Sequence, residues 1–472
     1  MPQSIIDRLV EHSLDTPFER FDAEVIAAAK MRLIDALGCT VSGSHGAGND
    51  AFAAVVRNLG SAPQASVVAS NEKLALPYAA MINSLQCRTF DFEVCGPEPE
   101  GSNAGKMVGH VGSTTEPTAL SVGEFTHASG RDLLAAVILG GDVAARISVG
   151  NTFNFNADFE VCGTSNAFGA TVVAGRLLGL NHDQLRNAFG ILLNLMAGSY
   201  QGIWDGVPSF KLPGAMAAFN GILSCQLSAG GFGGVTDALE SRLGYFHLYA
   251  DDPQPAALVA DLGETFYVRG QHKMHPSCYG NHNAIDCALA LKEEHQFDGE
   301  DVESVFVDVL PNRIDHFLNQ VPTLNDQQPK FLFSIPYSVA NVLYRGRPEL
   351  EHFSEPGIRD PRVLDLTSRV VLRPNLPAGK THACRVVVLL KDGREFEYFR
   401  ENPVGWIDDP VTHEDVVEKF WRNITFKGTL STEQAQRALD LIENLEDVAD
   451  VAELAACLTL TPQLAVADGS TH

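Results

Sequence analysis

Around residues 22 to 42 the chain reads FDAEVIAAAKMRLIDALGCTVSG, with Val25, Ile26, Ala29, Leu33, Ile34 and Leu37 at helical spacing and Asp22 placed to cap the first turn. Similar Ala/Leu/Gly-rich blocks recur at 77 to 87, 131 to 149, 167 to 180, 184 to 198 and 215 to 228, each broken by glycine or polar turns. Helices with so many small side chains bury themselves by approaching one another closely, so these blocks predict a tightly packed helical body. No fixed-period repeat, low-complexity tract, GxGxxG or P-loop occurs, and a nucleotide cofactor has no support.

The pattern changes after about residue 267. VESVFVDVLP alternates Val305, Val307 and Val309 against Phe306 and Asp308, and Asp392-Gly393 separates two β-rich runs, a strong hairpin signal. Helical pattern persists in NHNAIDCALALKEEH and PYSVANVLYRG, so this part reads as a smaller α+β unit. Thr412 to Asp415 and Ser431 to Gln434 then form capping-box candidates ahead of further helices. The expected organisation is a first helical part at 1–267, an α+β unit at 268–404, and C-terminal helices at 405–472 that return to the first part.

A formal net charge of −25 without clustered Lys or Arg argues against a nucleic-acid or anionic-membrane partner. An anionic substrate would need a local basic pocket working against that field. Nine cysteines without CxxC or Cys/His metal spacing suggest neither a zinc site nor a disulfide framework. The N-terminus lacks a basic n-region and an h-region, and apolar runs read as interrupted before about 18 residues, so the expectation is a cytoplasmic protein.

Ionisable groups gather beside Gly and Pro in five stretches: RTFDFEVCG, KMVGHVGST, SFKLPGA, QHKMHPSCYGNH and FSIPYSVA. Taken singly, Asp91 fits a turn or cap, His110 fits a structural histidine as well as a general base, and Tyr337 fits packing. Lys211 is the only lysine between Lys106 and Lys273 and has no carboxylate near it in sequence. It either snorkels or is held for an anion. Lys273 poses the same choice. His272, His275, Cys278 and His282 crowd into twelve residues, but their spacing matches no zinc motif, so no metal is expected.

Several blocks, in order, resemble the MmgE/PrpD family, which includes 2-methylcitrate dehydratase, cis-aconitate decarboxylase and iminodisuccinate epimerase: AKMRLIDALGCTVSGS, AAMINSLQCRTFDFE, GGDVAARISVG, FKLPGAMAAFNG, KMHPSCYGNHNAIDCAL, SIPYSVANVLYRG and VEKFWRN. The resemblance implies a mostly α fold: a large all-helical domain built from both chain ends, a smaller α+β lid, a cleft between them and usually a homodimer. It also implies cofactor-free action on small di- or tricarboxylates. By its motifs the catalytic set falls on Asp91, His110, Lys211, Lys273 and Tyr337, with Cys278 beside them. Cys95, Glu160, His275 and His282 are the further candidates for substrate contact. The chain departs from the family in reading Asp91-Phe92-Glu93-Val94 for DFDD, in a Gly-rich insertion before His110, in Cys95 where some members have threonine, and in Glu160 to Cys162 where several carry a histidine. Cys278 replaces the histidine of the mammalian decarboxylase type and resembles the fungal form.

Removing a proton α to a carboxylate builds a second negative charge, which cations and donors must stabilise. That role falls to Lys211 and Lys273 as carboxylate clamps. His110, taken to titrate near neutral pH, serves as base or acid with Asp91 orienting its ring. Tyr337 donates to a leaving group, and Cys278 either does the same or lines the pocket. A lyase (dehydratase or decarboxylase) is the leading reading. An epimerase of a dicarboxylate such as iminodisuccinate, and a non-catalytic dicarboxylate-binding protein, are the alternatives.

Overall fold

A computed structural model describes residues 4–106, 108–151, 159–377 and 382–460. The fold is mostly α, with nineteen α-helices and small sheets among the described residues. Asp22 caps the helix Ala23–Gly43 by accepting from the Val25 amide at 2.8 Å, and Ala29, Leu33, Ile34 and Leu37 are buried along it. The other small-residue blocks form Leu76–Cys87, Gly130–Gly150, Ser165–Leu177, His182–Leu192 and Leu212–Ala229. Their packing explains the glycines. A Cβ on Gly140 would lie 2.9 Å from the Gly169 carbonyl oxygen, and one on Gly169 would lie 2.6 Å from that of Gly140, so the two helices cross nearly backbone to backbone.

Gly130–Gly150 is long and apolar enough to cross a bilayer, which corrects the reading of its apolar run as too interrupted. It is instead a core helix, its apolar window wholly buried. Buried charges sit on it: Asp142 accepts from Arg146 and pairs with His12, both at 2.8 Å, and also accepts from the Tyr267 amide at 2.8 Å.

In the α+β part the strand Val302–Asp308 runs parallel to Val370–Arg373 and antiparallel to Cys384–Leu390, which pairs in turn with Glu395–Arg400. Gly393, with φ of +87°, closes the expected hairpin. Val305 and Val307 point into a core shared with the helices Tyr279–His295 and Ile335–Arg345. Both expected capping boxes are formed, at Thr412/Asp415 and Ser431/Gln434. The helix His413–Thr425 then packs along Ala23–Gly43, burying Phe420 against Gly38.

One carboxylate ties these parts together. Asp35, on the helix Ala23–Gly43 and fully buried, receives Lys419 Nζ at 2.7 Å and His272 Nδ1 at 2.8 Å on one oxygen, and the Val94 amide at 3.0 Å on the other. Lys419 also donates to the Phe92 carbonyl at 2.6 Å. Burial pushes the Asp35 carboxyl up, but Lys419 and His272 outweigh it and hold it below its ordinary value. Its contribution to stability is therefore present above the unfolded carboxyl range near pH 4 and lost as pH falls through the lower folded value.

Asp35→Ala strands a buried lysine, and is expected to cost about 3–5 kcal/mol at pH 7. Urea denaturation of wild type and variant measures it; a loss below about 1 kcal/mol would contradict the tie.

Candidate active site

The segment after the helix Leu76–Cys87 carries Arg88, Asp91, Glu93 and Cys95, and its backbone is pinned from three sides. Lys419 holds the Phe92 carbonyl and Asp35 the Val94 amide. Cys95 exchanges hydrogen bonds with Gln271 at 3.0 and 3.1 Å, and Gly96 bridges to Gly109 and Val111. Asp91 has φ of +48°, a left-handed conformation that aspartate tolerates better than most residues, and Lys273 Nζ secures it through the Asp91 carbonyl at 2.5 Å and Oδ1 at 2.9 Å.

The side chains form a charge cluster in which, among the described residues, Asp91 Oδ2 and Glu93 Oε2 stay buried without a hydrogen bond. Arg88 Nη1 donates to Asp91 Oδ1 and, at 3.0 Å, to Glu93 Oε1. His110 Nδ1 lies 3.2 Å from Glu93 Oε1, 3.7 Å from Asp91 Oδ1 and 3.4 Å from Cys95 Sγ. Glu93 therefore orients the ring more closely than Asp91 does. Burial alone would raise the Glu93 carboxyl, but Arg88 and Lys273 hold it well below the carboxylate range. Nδ1 lies nearer the Glu93 carboxylate, at 3.2 Å, than the Arg88 Nη1 donor, at 3.5 Å, and that anionic neighbour favours the proton on Nδ1 and the lone pair on Nε2. Burial, then Lys273 and Arg88, push the His110 pKa down to about 3, so the ring is neutral at physiological pH; this corrects the expectation of a group poised near neutrality. Its carbonyl accepts from Asn166 Nδ2 at 2.6 Å, which fixes the residue from behind. Burial pushes the Cys95 thiol up to about 12, so it stays protonated beside the ring.

The ligand atoms of Asp91, Glu93 and His110 lie within 4.8 Å of one another, close enough to hold a metal. Both carboxylates already bind Arg88, and Asp91 also binds Lys273. Two resident cations suit an ion-paired cluster better than a divalent cation.

His110 and Cys95 open into a cavity of about 520 Å³, its mouth included, at the seam between the helical and α+β parts. Gln271, Cys278, Tyr279, Arg313, His316, Phe317, His382 and Trp406 line it as well, with Trp406 and His382 gathered around the Tyr279 ring. The structure thus gathers Asp91, Cys95, His110 and Lys273 into one cluster and places Cys278 in the lining of the cavity that His110 and Cys95 share.

The other predicted residues lie elsewhere. Lys211 is buried, but its ammonium donates to the Ala47 carbonyl at 2.7 Å and to Asn49, and it does not line the cavity. Burial lowers its pKa to about 7. Asn49 in turn donates to Thr89 at 2.8 Å, so these hydrogen bonds tie Lys211 to the Arg88 segment. The Tyr337 hydroxyl donates to the His352 carbonyl at 2.6 Å, and its ring packs edge-on to Phe331 and Phe353 in the α+β core. His275 pairs with Asp286 at 3.0 Å beside a separate surface groove, and His282 is buried between the Tyr279 and His275 rings. Glu160 is buried behind His110, near Cys162, with burial raising its pKa against the pull of Arg88.

Sequence reasoning passed over Arg88, Arg313, His316, His382 and Trp406. Arg88 carried a usable signal, an arginine three and five residues ahead of two acids in RTFDFE. The others sit in turns with no local pattern to mark them.

The MmgE/PrpD N-terminal domain family matches residues 7–258, and the MmgE/PrpD C-terminal domain family matches residues 275–447. The chain is 25% identical to a cis-aconitate decarboxylase-like protein of Aspergillus oryzae, over 93% of each chain. It is 24% identical to cis-aconitate decarboxylase of Homo sapiens, over 93% of this chain and 90% of that one. It is 22% identical to cis-aconitate decarboxylase of Aspergillus terreus, over 93% of each. With both domain families matched in order across most of its length, the chain belongs to the MmgE/PrpD family.

Proposed function

We propose that the protein is a cofactor-independent lyase acting on a small di- or tricarboxylate, with loss of CO2 the favoured outcome. The observation that carries this reading is His110, neutral and held by Glu93, on the wall of a cavity that also presents a cysteine thiol and an arginine. The names of the relatives, decarboxylases at low identity, favour carbon–carbon over carbon–oxygen cleavage.

In this reading the Nε2 lone pair of His110 accepts a proton from substrate or water, and the Glu93 carboxylate stabilises the imidazolium that forms. Lys273 and Arg88 supply the positive field in which a carbanion next to a carboxylate can form. Departure of CO2 leaves its bonding electron pair on the α-carbon. A proton delivered from His110 Nε2 completes the product, and because the departing carboxylate carries none, His110 takes up one solvent proton for each CO2 released.

His110→Ala is expected to lower kcat/KM by about 10²- to 10⁴-fold, the usual worth of a positioned acid or base, with little change in melting temperature. A loss of only a few-fold would make His110 structural.

Incubation of wild type with cis-aconitate and simpler unsaturated diacids in D2O, followed by proton NMR and trapping of CO2, tests the reaction class. Release of CO2 with one solvent deuterium at the former α-carbon is expected for at least one acid. Deuterium exchange with inversion and unchanged formula would replace the lyase by an epimerase; binding without exchange or product would leave a dicarboxylate-binding protein.

A further inference from the structure

Arg313 stands apart from the other shielded arginines. Arg88, Arg146, Arg345 and Arg422 each pair with a carboxylate. Arg313 is partly buried on the cavity wall, and among the described residues its guanidinium has no hydrogen bond, ion pair or aromatic face to meet. Its five donors are directed by a rigid planar fork that matches a carboxylate in two parallel hydrogen bonds. A half-buried guanidinium on a cavity wall with no anion beside it keeps its fork of donors available, and a ligand carboxylate can meet it.

The surroundings narrow the ligand. His316 and His382 line the same cavity, and Nε2 of each is buried without a partner. Burial, with Arg313 adding to it, lowers their pKa values to about 3 and about 4, so they offer hydrogen bonds without a second charge. Trp406 stacks on Tyr279 at 5.9 Å and lies 4.4 Å from the His382 ring, while Phe317 packs against His316 at 3.9 Å. These rings line the same cavity as Arg313 and His110 and give it flat apolar surface. Such a space suits a small planar body with an anion at each end.

We propose that Arg313 is the specificity-determining residue of this site: it binds the substrate carboxylate remote from the reacting carbon, selecting a short, planar unsaturated diacid over the corresponding monoacid. The assignment rests on the reading of the cavity as the substrate site and adds the class of molecule that fills it.

The test uses maleate, fumarate and the monomethyl ester of each, titrated into the full-length wild type, Arg313→Gln and Arg313→Lys by calorimetry. Wild type is expected to bind at least one diacid about 10- to 100-fold more tightly than its half-ester, the worth of a charged hydrogen-bonded pair. Arg313→Gln should erase that ratio while leaving half-ester binding within a few-fold, and Arg313→Lys, which keeps the charge but loses the fork, should restore part of it. Circular dichroism checks that the variants fold; if the glutamine variant does not, the lysine variant must still show a reduced ratio. A wild type that does not discriminate, or variants that keep its ratio, would overturn the proposal. Arg313-dependent discrimination without turnover of any acid would sink the lyase reading alone, whereas turnover with undiminished diacid selectivity in Arg313→Gln would sink the Arg313 assignment alone.

Discussion

Beside the Cys39 thiol of its own helix, Asp35 accepts donors from residues 94, 272 and 419, and the lysine among them reaches on to the carbonyl of residue 92. Four stretches of chain, three of them meeting Asp35 from between 59 and 384 residues away, are thereby fixed at one buried point. A carboxylate at that depth is tolerated only because every donor is in place, since removal of any partner leaves a charge in a low-dielectric interior. The same logic recurs around it. Arg32, one turn earlier on the same helix, pairs with Glu116, and Asp142 gathers His12, Arg146 and the Tyr267 amide. Apolar packing of small residues brings the helices close, and these polar nodes set their register.

The chemistry depends on that register. Residues 92 and 94 are held by Lys419 and Asp35, so the intervening Glu93 is turned toward His110, and Gln271 fixes the neighbouring Cys95. Lys273, one residue beyond the Asp35-bound His272, is delivered to Asp91 by the same stretch of chain. An ion-paired cluster results on the helical side of the cavity, whose lining also includes Arg313 and the two imidazoles of His316 and His382. A chain with a net charge of −25 can present an attractive site to an anion because its acids there are already paired.

The helices were legible because their signals are local: the Asp22 cap, the two capping boxes and the small-residue blocks each specify structure within a few residues. The hairpin at Asp392-Gly393 was legible for the same reason. Asp91, His110, Lys273 and Cys278 could be named from motif resemblance, and they meet at the cluster or the cavity. Lys211 could not be assigned from its isolation, because that isolation says only that no carboxylate is near in sequence. Its oxygens come from Ala47 and Asn49, 164 and 162 residues away. Tyr337 carries a hydroxyl that the helix turns toward His352, a contact no spacing reveals. Arg313 and His382 become neighbours of the cavity only through tertiary folding, one from a short helical turn and the other from a turn just ahead of a strand.

The central claim is that Glu93 holds His110 as a neutral imidazole protonated on Nδ1, with Nε2 free to take a proton. Nitrogen-15 NMR of protein labelled at histidine, with the His110 resonances assigned by comparison with His110→Ala, reads the tautomer directly. The account predicts a protonated Nδ1 and an unprotonated Nε2 that persist from pH 8 down to pH 5. A His110 ring that titrates to imidazolium near pH 6.5, or that carries its proton on Nε2, would contradict it.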